Sequence, residues 1–148
     1  MSESSLYERD FYAWANEQAA LLRAGKLTQA DIEHIAEEIE SMGKTEKREL
    51  TSRLTVLLLH LLKWQYQPAR RGASWEVTIS NQRRDLSVHL KDNPSLKAKL
   101  GEAVEYAYAN ARGEAYAETG LPKANFPSTC PWSFEQIMNE GFWPESAN

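Results

Sequence analysis

One cysteine, Cys130, is all this chain has. A single thiol excludes an internal disulfide framework and suits a reducing compartment, so a cytoplasmic location is expected. The opening MSESSLYERDFYAW lacks a basic segment followed by an apolar one, so no secretion signal is expected. No apolar run approaches the roughly 20 residues a membrane-spanning helix needs, which makes a membrane partner unexpected. Glycine-rich phosphate loops, metal-ligand series and serine nucleophile elbows are missing too. No histidine follows His89, which leaves Cys130 without a base near it in sequence; a structural thiol is expected there. Neither internal repeats nor low-complexity segments occur.

What is present is helical periodicity. Thr45–Pro68 is the most apolar stretch, with Leu50, Leu54, Leu57, Leu58, Leu61 and Leu62 at spacings of three and four. Val56, Leu59 and Trp64 fall on its other faces, so this helix is expected at the centre of the fold. Thr45 is its expected N-cap and Pro68 its stop. A first helix is expected over 6–24, with Gly25 at its C-terminal end. A second opens at Thr28 with Asp31 completing a variant capping box, carries the stripe Ile32, Ile35, Ala36, Ile39 and Met42, and ends at Gly43. So short a link predicts an antiparallel hairpin with the central helix, placing Glu33 or Glu37 near Arg53.

Ser74 is expected to cap a fourth helix over 75–91, buried through Ile79, Leu86 and Leu90. Asn93–Pro94 restarts the chain into a fifth over 95–118, whose small residues Ala103, Ala107, Ala111 and Ala115 allow close approach while Tyr106, Tyr108 and Tyr116 sit at the edges. Gly120 is its C-cap, and an aromatic tail over 121–145, with a short helix at 133–139, packs back. The reading is an all-α single-domain helical bundle of 1–148, about five main helices plus a short C-terminal one, with a core over 6–118.

Charge is unevenly spread. Residues 1–43 carry three basic and nine acidic side chains, 44–91 ten and four, and 92–148 four and eight. Mutual neutralisation of packed segments explains this; a basic patch for an acidic partner is the sharper alternative.

Within the basic middle lies the candidate binding site: Lys63, Trp64, Tyr66, Arg70, Arg71, Trp75, Arg83 and Arg84. Arginine beside aromatic rings clasps carboxylates and phosphates, and protein interfaces are enriched in both. The competing assignment is that Trp64 and Trp75 pack the fold while the arginines pair with acidic flanks. A second cluster, Asp31, His34, Glu37 and Glu38 with His60, supplies only half of a helical di-metal site: Asp31–x–x–His34 fits once, whereas Leu57 and Leu86 occupy the matching places before His60 and His89. No metal, cofactor or catalytic residue is therefore expected.

Four ordered blocks carry a resemblance: YERDFYAWANEQAALLRAGKL, IAEEIESMGKTEKREL, LLLHLLKWQYQPARR followed by SWEVTISNQRR, and CPWSFEQIMNEGFWP. Together they resemble the DUF29 family over nearly the whole chain. Ala69 and Gly72 stand where polar residues are commoner. The resemblance implies a bacterial, mainly helical protein and implies no reaction. The expected function is a non-enzymatic protein-interaction or regulatory module using the Lys63–Trp75 surface. Its partner is an unidentified protein, or a second copy meeting an exposed apolar face as a homodimer. Nucleic-acid or phosphate binding by the basic middle is the runner-up, and an enzyme with a helical active site the third class. The acidic isoelectric point, near 5.4, weighs against nucleic acid.

Overall fold

All six leucines of the central stripe are fully buried. In this computed structural model, which describes residues 5–147, they lie on a helix apolar enough to take neighbours on several sides. The described residues form α1 (Leu6–Arg9), α2 (Phe11–Arg23), α3 (Ile32–Tyr66), α4 (Ala73–Asp92), α5 (Leu100–Thr119) and α6 (Phe134–Met138), with short 3-10 helices at Pro68–Arg70, Pro94–Lys99 and Lys123–Asn125. No strand occurs among them, so the chain is all-α. No helix is long and apolar enough to cross a membrane among the described residues. The chain divides into two compact units, Met1–Thr45 and Glu46–Asn148.

The expected hairpin at Gly43 does not form: the backbone runs as one helix from Ile32 to Tyr66. Among the described residues only Gly25 and Gly120 have positive φ, so Gly43 makes no left-handed turn. A mid-helix glycine costs about 1 kcal/mol relative to alanine, which good helix formers on both sides outweigh. Thr45 is consequently inside the helix, its hydroxyl donating to the Ser41 carbonyl at 3.0 Å rather than capping. Arg53 pairs with Glu49 one turn earlier at 3.0 Å and with Asp85 of α4 at 3.3 Å, and not with Glu33 or Glu37.

In the second unit, the leucines of α3 pack with Ile79 and Leu86 of α4, the alanine stripe of α5, and Phe126, Trp132 and Ile137 of the tail. Each fully buried leucine contributes about 2 kcal/mol through removal from water. Tyr108 departs from expectation: it is buried, its hydroxyl donating to the Pro127 carbonyl at 2.6 Å, while Tyr106 and Tyr116 remain exposed. Ser133 and Gln136 form a full capping box on α6. α4 starts at Ala73 with extended Gly72 before it, so Ser74 is no cap. The restart at Pro94 is a 3-10 helix, and α5 begins only at Leu100. Gly120 closes α5 in the left-handed conformation that favours glycine.

The first unit is built differently. Asp10 accepts from the Ala13 amide at 3.0 Å, capping α2 and splitting the expected first helix in two. Asp31, not Thr28, stands at the start of α3, with the His34 amide 3.4 Å from its carboxylate. Only Trp14 and Gln18 are buried among the described residues of this unit. The apolar stripe expected to be core is largely uncovered: Ile32, Ile39 and Met42 are 53%, 64% and 68% exposed.

Candidate functional site

Half of the aromatic–basic cluster, Trp64, Tyr66, Arg71 and Arg83, holds the C-terminal tail. Arg83 shares the buried face of α4 with Ile79 and Leu86 and is only 2% exposed. Its Nε donates to the Ile137 carbonyl at 2.7 Å and its Nη2 to the Phe142 carbonyl at 2.8 Å. Its guanidinium carbon also lies 5.5 Å from the Trp143 ring centroid. Burial holds its pKa below the ordinary arginine value. Trp64 packs on Trp143 at 4.5 Å and Tyr66 edge-on against Phe126 at 4.9 Å. Arg71 donates to the Trp64 carbonyl at 2.7 Å, satisfying one of the carbonyls that α3 leaves open at its end, and to Ser146 at 3.1 Å. Lys63 pairs with Glu118 at 2.9 Å and sits over the half-buried Trp75 ring at 5.0 Å.

Two cations of the cluster stand at the surface. Arg70 is exposed, and Arg84 meets Asp85 at 3.5 Å with most of its side chain in water. The spacing Ile79–Arg83–Leu86 already put Arg83 on a buried stripe, a signal that its arginine identity masks.

The Asp31–His34 pair is real and local. His34 Nδ1 lies 2.6 Å from the Asp31 carboxylate, the His34 ring stacks on Tyr7 at 3.9 Å, and Trp14 Nε1 donates to Asp31 at 3.1 Å. The hydrogen bond to Asp31 raises the His34 pKa, and the same bond lowers that of Asp31. Tyr7 hydrogen-bonds Glu38, which pushes its phenol up to about 12. His60 is bonded within its own helix, its Nδ1 lying 2.7 Å from the Val56 carbonyl oxygen, and burial lowers its pKa. Burial raises the Cys130 thiol, and its sulfur donates weakly to the Trp132 carbonyl at 3.5 Å, as suits an inert structural thiol.

A cavity of about 530 Å³ between α3 and α4 gathers a set that the sequence reading passed over. Glu46 and Glu49, one turn apart on α3, face His89 of α4. Their nearest carboxylate oxygens are 3.6 and 3.1 Å from His89 Nδ1. Asp85, Asp92 and Arg53 line the same cavity. The legible signal was Glu–x–x–Glu opposite Asp–x–x–x–His on a second helix, a different spacing from the carboxylate–x–x–histidine unit.

The chain matches the family described as "Domain of unknown function DUF29" over residues 6–143. No curated protein and no solved structure matches it. The chain belongs to the DUF29 family.

Proposed function

We propose that this DUF29 chain is a non-enzymatic protein-interaction module, and that it receives a basic amphipathic helix of a partner protein on the first unit's part of α3. One observation carries the reading: the uncovered stripe of Ile32, Ile39 and Met42 in a unit where, among the described residues, only Trp14 and Gln18 are buried. A unit with so little core of its own gains most from covering such a stripe. The edge of the stripe selects the occupant. Glu33 and Glu40 border it, both exposed. Across a two-fold contact between identical copies these carboxylates would lie near like charge, which disfavours the homodimer; lysines or arginines on an incoming apolar helix complement them.

The aromatic–basic cluster supports this less well. The donors of Arg71 and Arg83 are engaged by carbonyls and a serine of the tail. Arg70 and Arg84 alone make a sparse footprint for nucleic acid or phosphate.

The test uses labelled synthetic helices with one apolar face and either lysines or glutamates elsewhere, titrated by fluorescence anisotropy. Wild type should bind the basic peptide and ignore the acidic one. Ile39→Glu/Met42→Glu should lose binding although it adds negative charge, which separates apolar docking from general attraction. Arg70→Glu/Arg84→Glu should bind as wild type. Unchanged or stronger binding by the Ile39/Met42 variant would overturn the proposal, as would equal binding of both peptides.

A further inference from the structure

Glu46, Glu49 and His89 hold their ligand atoms within 4.8 Å of one another, a separation one metal ion can bridge. We propose that these three residues bind a divalent first-row transition cation, of the zinc class, in the second unit.

His89 is the observation that lifts this above a cluster of surface carboxylates. It is 7% exposed, and its Nε2 lies 2.8 Å from the Glu46 carbonyl oxygen. A carbonyl oxygen only accepts, so Nε2 carries the proton. In the neutral ring, Nδ1 then presents a lone pair. Its nearest polar neighbours are the Glu49 and Glu46 carboxylate oxygens, which are acceptors as well. In that neutral state three lone-pair donors converge with no hydrogen among them, and they repel unless a cation or a second ring proton lies between them. The backbone hydrogen bond also fixes tautomer and ring orientation, the outer-shell support that metal-binding histidines ordinarily have.

The surrounding charge favours a cation. Asp85 and Asp92 line the cavity, and Arg53 supplies one opposing charge, bonded to the Glu49 oxygen that does not face His89. Glu49 can therefore accept Arg53 on one oxygen and a metal on the other. Two carboxylates and one imidazole suit zinc, manganese or iron(II) better than calcium or magnesium, which prefer oxygen alone. The cavity leaves room for water to complete the coordination.

A cation-free arrangement competes with this: His89 protonated on both nitrogens and paired with the two glutamates. The two states respond differently to zinc. Full-length protein stripped with chelator is titrated with Zn²⁺ by calorimetry and with Co²⁺ by visible absorption. The His89 ring nitrogens are followed by ¹⁵N NMR. The proposal expects one saturable site, a cobalt spectrum of nitrogen–oxygen ligation, and a zinc-induced shift confined to Nδ1. Glu46→Gln and Glu49→Gln should each weaken binding by about tenfold or more, at least the loss that even an outer-shell partner brings. Glu46 is half exposed, and Glu46→Gln leaves in place the backbone carbonyl that accepts from His89, so the variant keeps the fold, which far-UV circular dichroism verifies. A stationary Nδ1 resonance, no saturation, or equal affinity in folded Glu46→Gln would each overturn the site in favour of the imidazolium pair.

Discussion

Arg83 donates to the carbonyl oxygen of Ile137, fifty-four residues away, at 2.7 Å. A guanidinium placed on the apolar face of α4 thereby fastens α6 and, through Phe142, the chain beyond it. Removing it leaves two carbonyls without their charged donor and a void beneath Trp143. Arg83→Ala should cost about 3 kcal/mol, the sum expected for losing hydrogen bonds to a charged group in a buried setting. Arg84→Ala, beside it and solvated, should change stability by less than about 0.5 kcal/mol. Urea denaturation of the two variants checks the contrast; equal effects would show that the tail is not held this way.

Arg70 and Arg71 should separate in the same manner. Arg71→Glu loses the Trp64 carbonyl, the Ser146 hydroxyl and a position 5.0 Å over the Trp64 ring. A loss of about 1–2 kcal/mol is expected. Arg70→Glu, exposed, should be within about 0.5 kcal/mol of wild type. Thermal melts of the single variants decide it, and a binding experiment that changes both residues together would confound folding with recognition.

Gly43→Ala tests the continuity of α3. A Cβ at Gly43 meets nothing within 4 Å, and the backbone there is helical. Alanine should stabilise by about 0.5–1 kcal/mol, because it removes glycine's entropic cost in a helix interior. Destabilisation in equilibrium unfolding would instead indicate a left-handed turn, and with it the hairpin.

His34 and Asp31 give the first unit a pH dependence with a defined sign. His34's folded pKa lies above its ordinary 6.5, so its contribution is full below that value and is lost as pH rises through the folded pKa. Asp31's folded pKa lies below its ordinary 3.8, so its contribution is full above that value and is lost as pH falls through the folded pKa. The pair therefore supports the unit most between about pH 4 and 6.5. Raising the pH past the His34 transition should shift the Trp14 indole NMR resonance, since Trp14 donates to the same carboxylate. His34→Gln should abolish that shift. A His34 titration at or below 6.5 would contradict the assignment.

The Asp31–His34 pair was legible from their spacing, as was the burial of the α3 leucines, because local periodicity dictates both. The route of the chain at Gly43 was not. Glycine marks a helix end when the turn after it is repaid by tertiary contact; without such contact the flanking residues' propensity carries the helix through. The exposure of Ile32, Ile39 and Met42 was hidden for the same reason, since an apolar stripe shows that a face can be buried without naming what buries it.

What the amino-acid sequence determined by itself is the helical class, the leucine core, the stop at Pro68, the cap at Gly120, and membership of DUF29. These follow from backbone stereochemistry and residue spacing within a few turns. Tertiary structure alone decided that Arg83 and Arg71 serve the tail, and that Glu46, Glu49 and His89 share one cavity. Those relationships join residues forty to seventy-five positions apart. Side-chain identity states what each group can donate or accept; only the packing of α3, α4 and the tail selects which partner it meets.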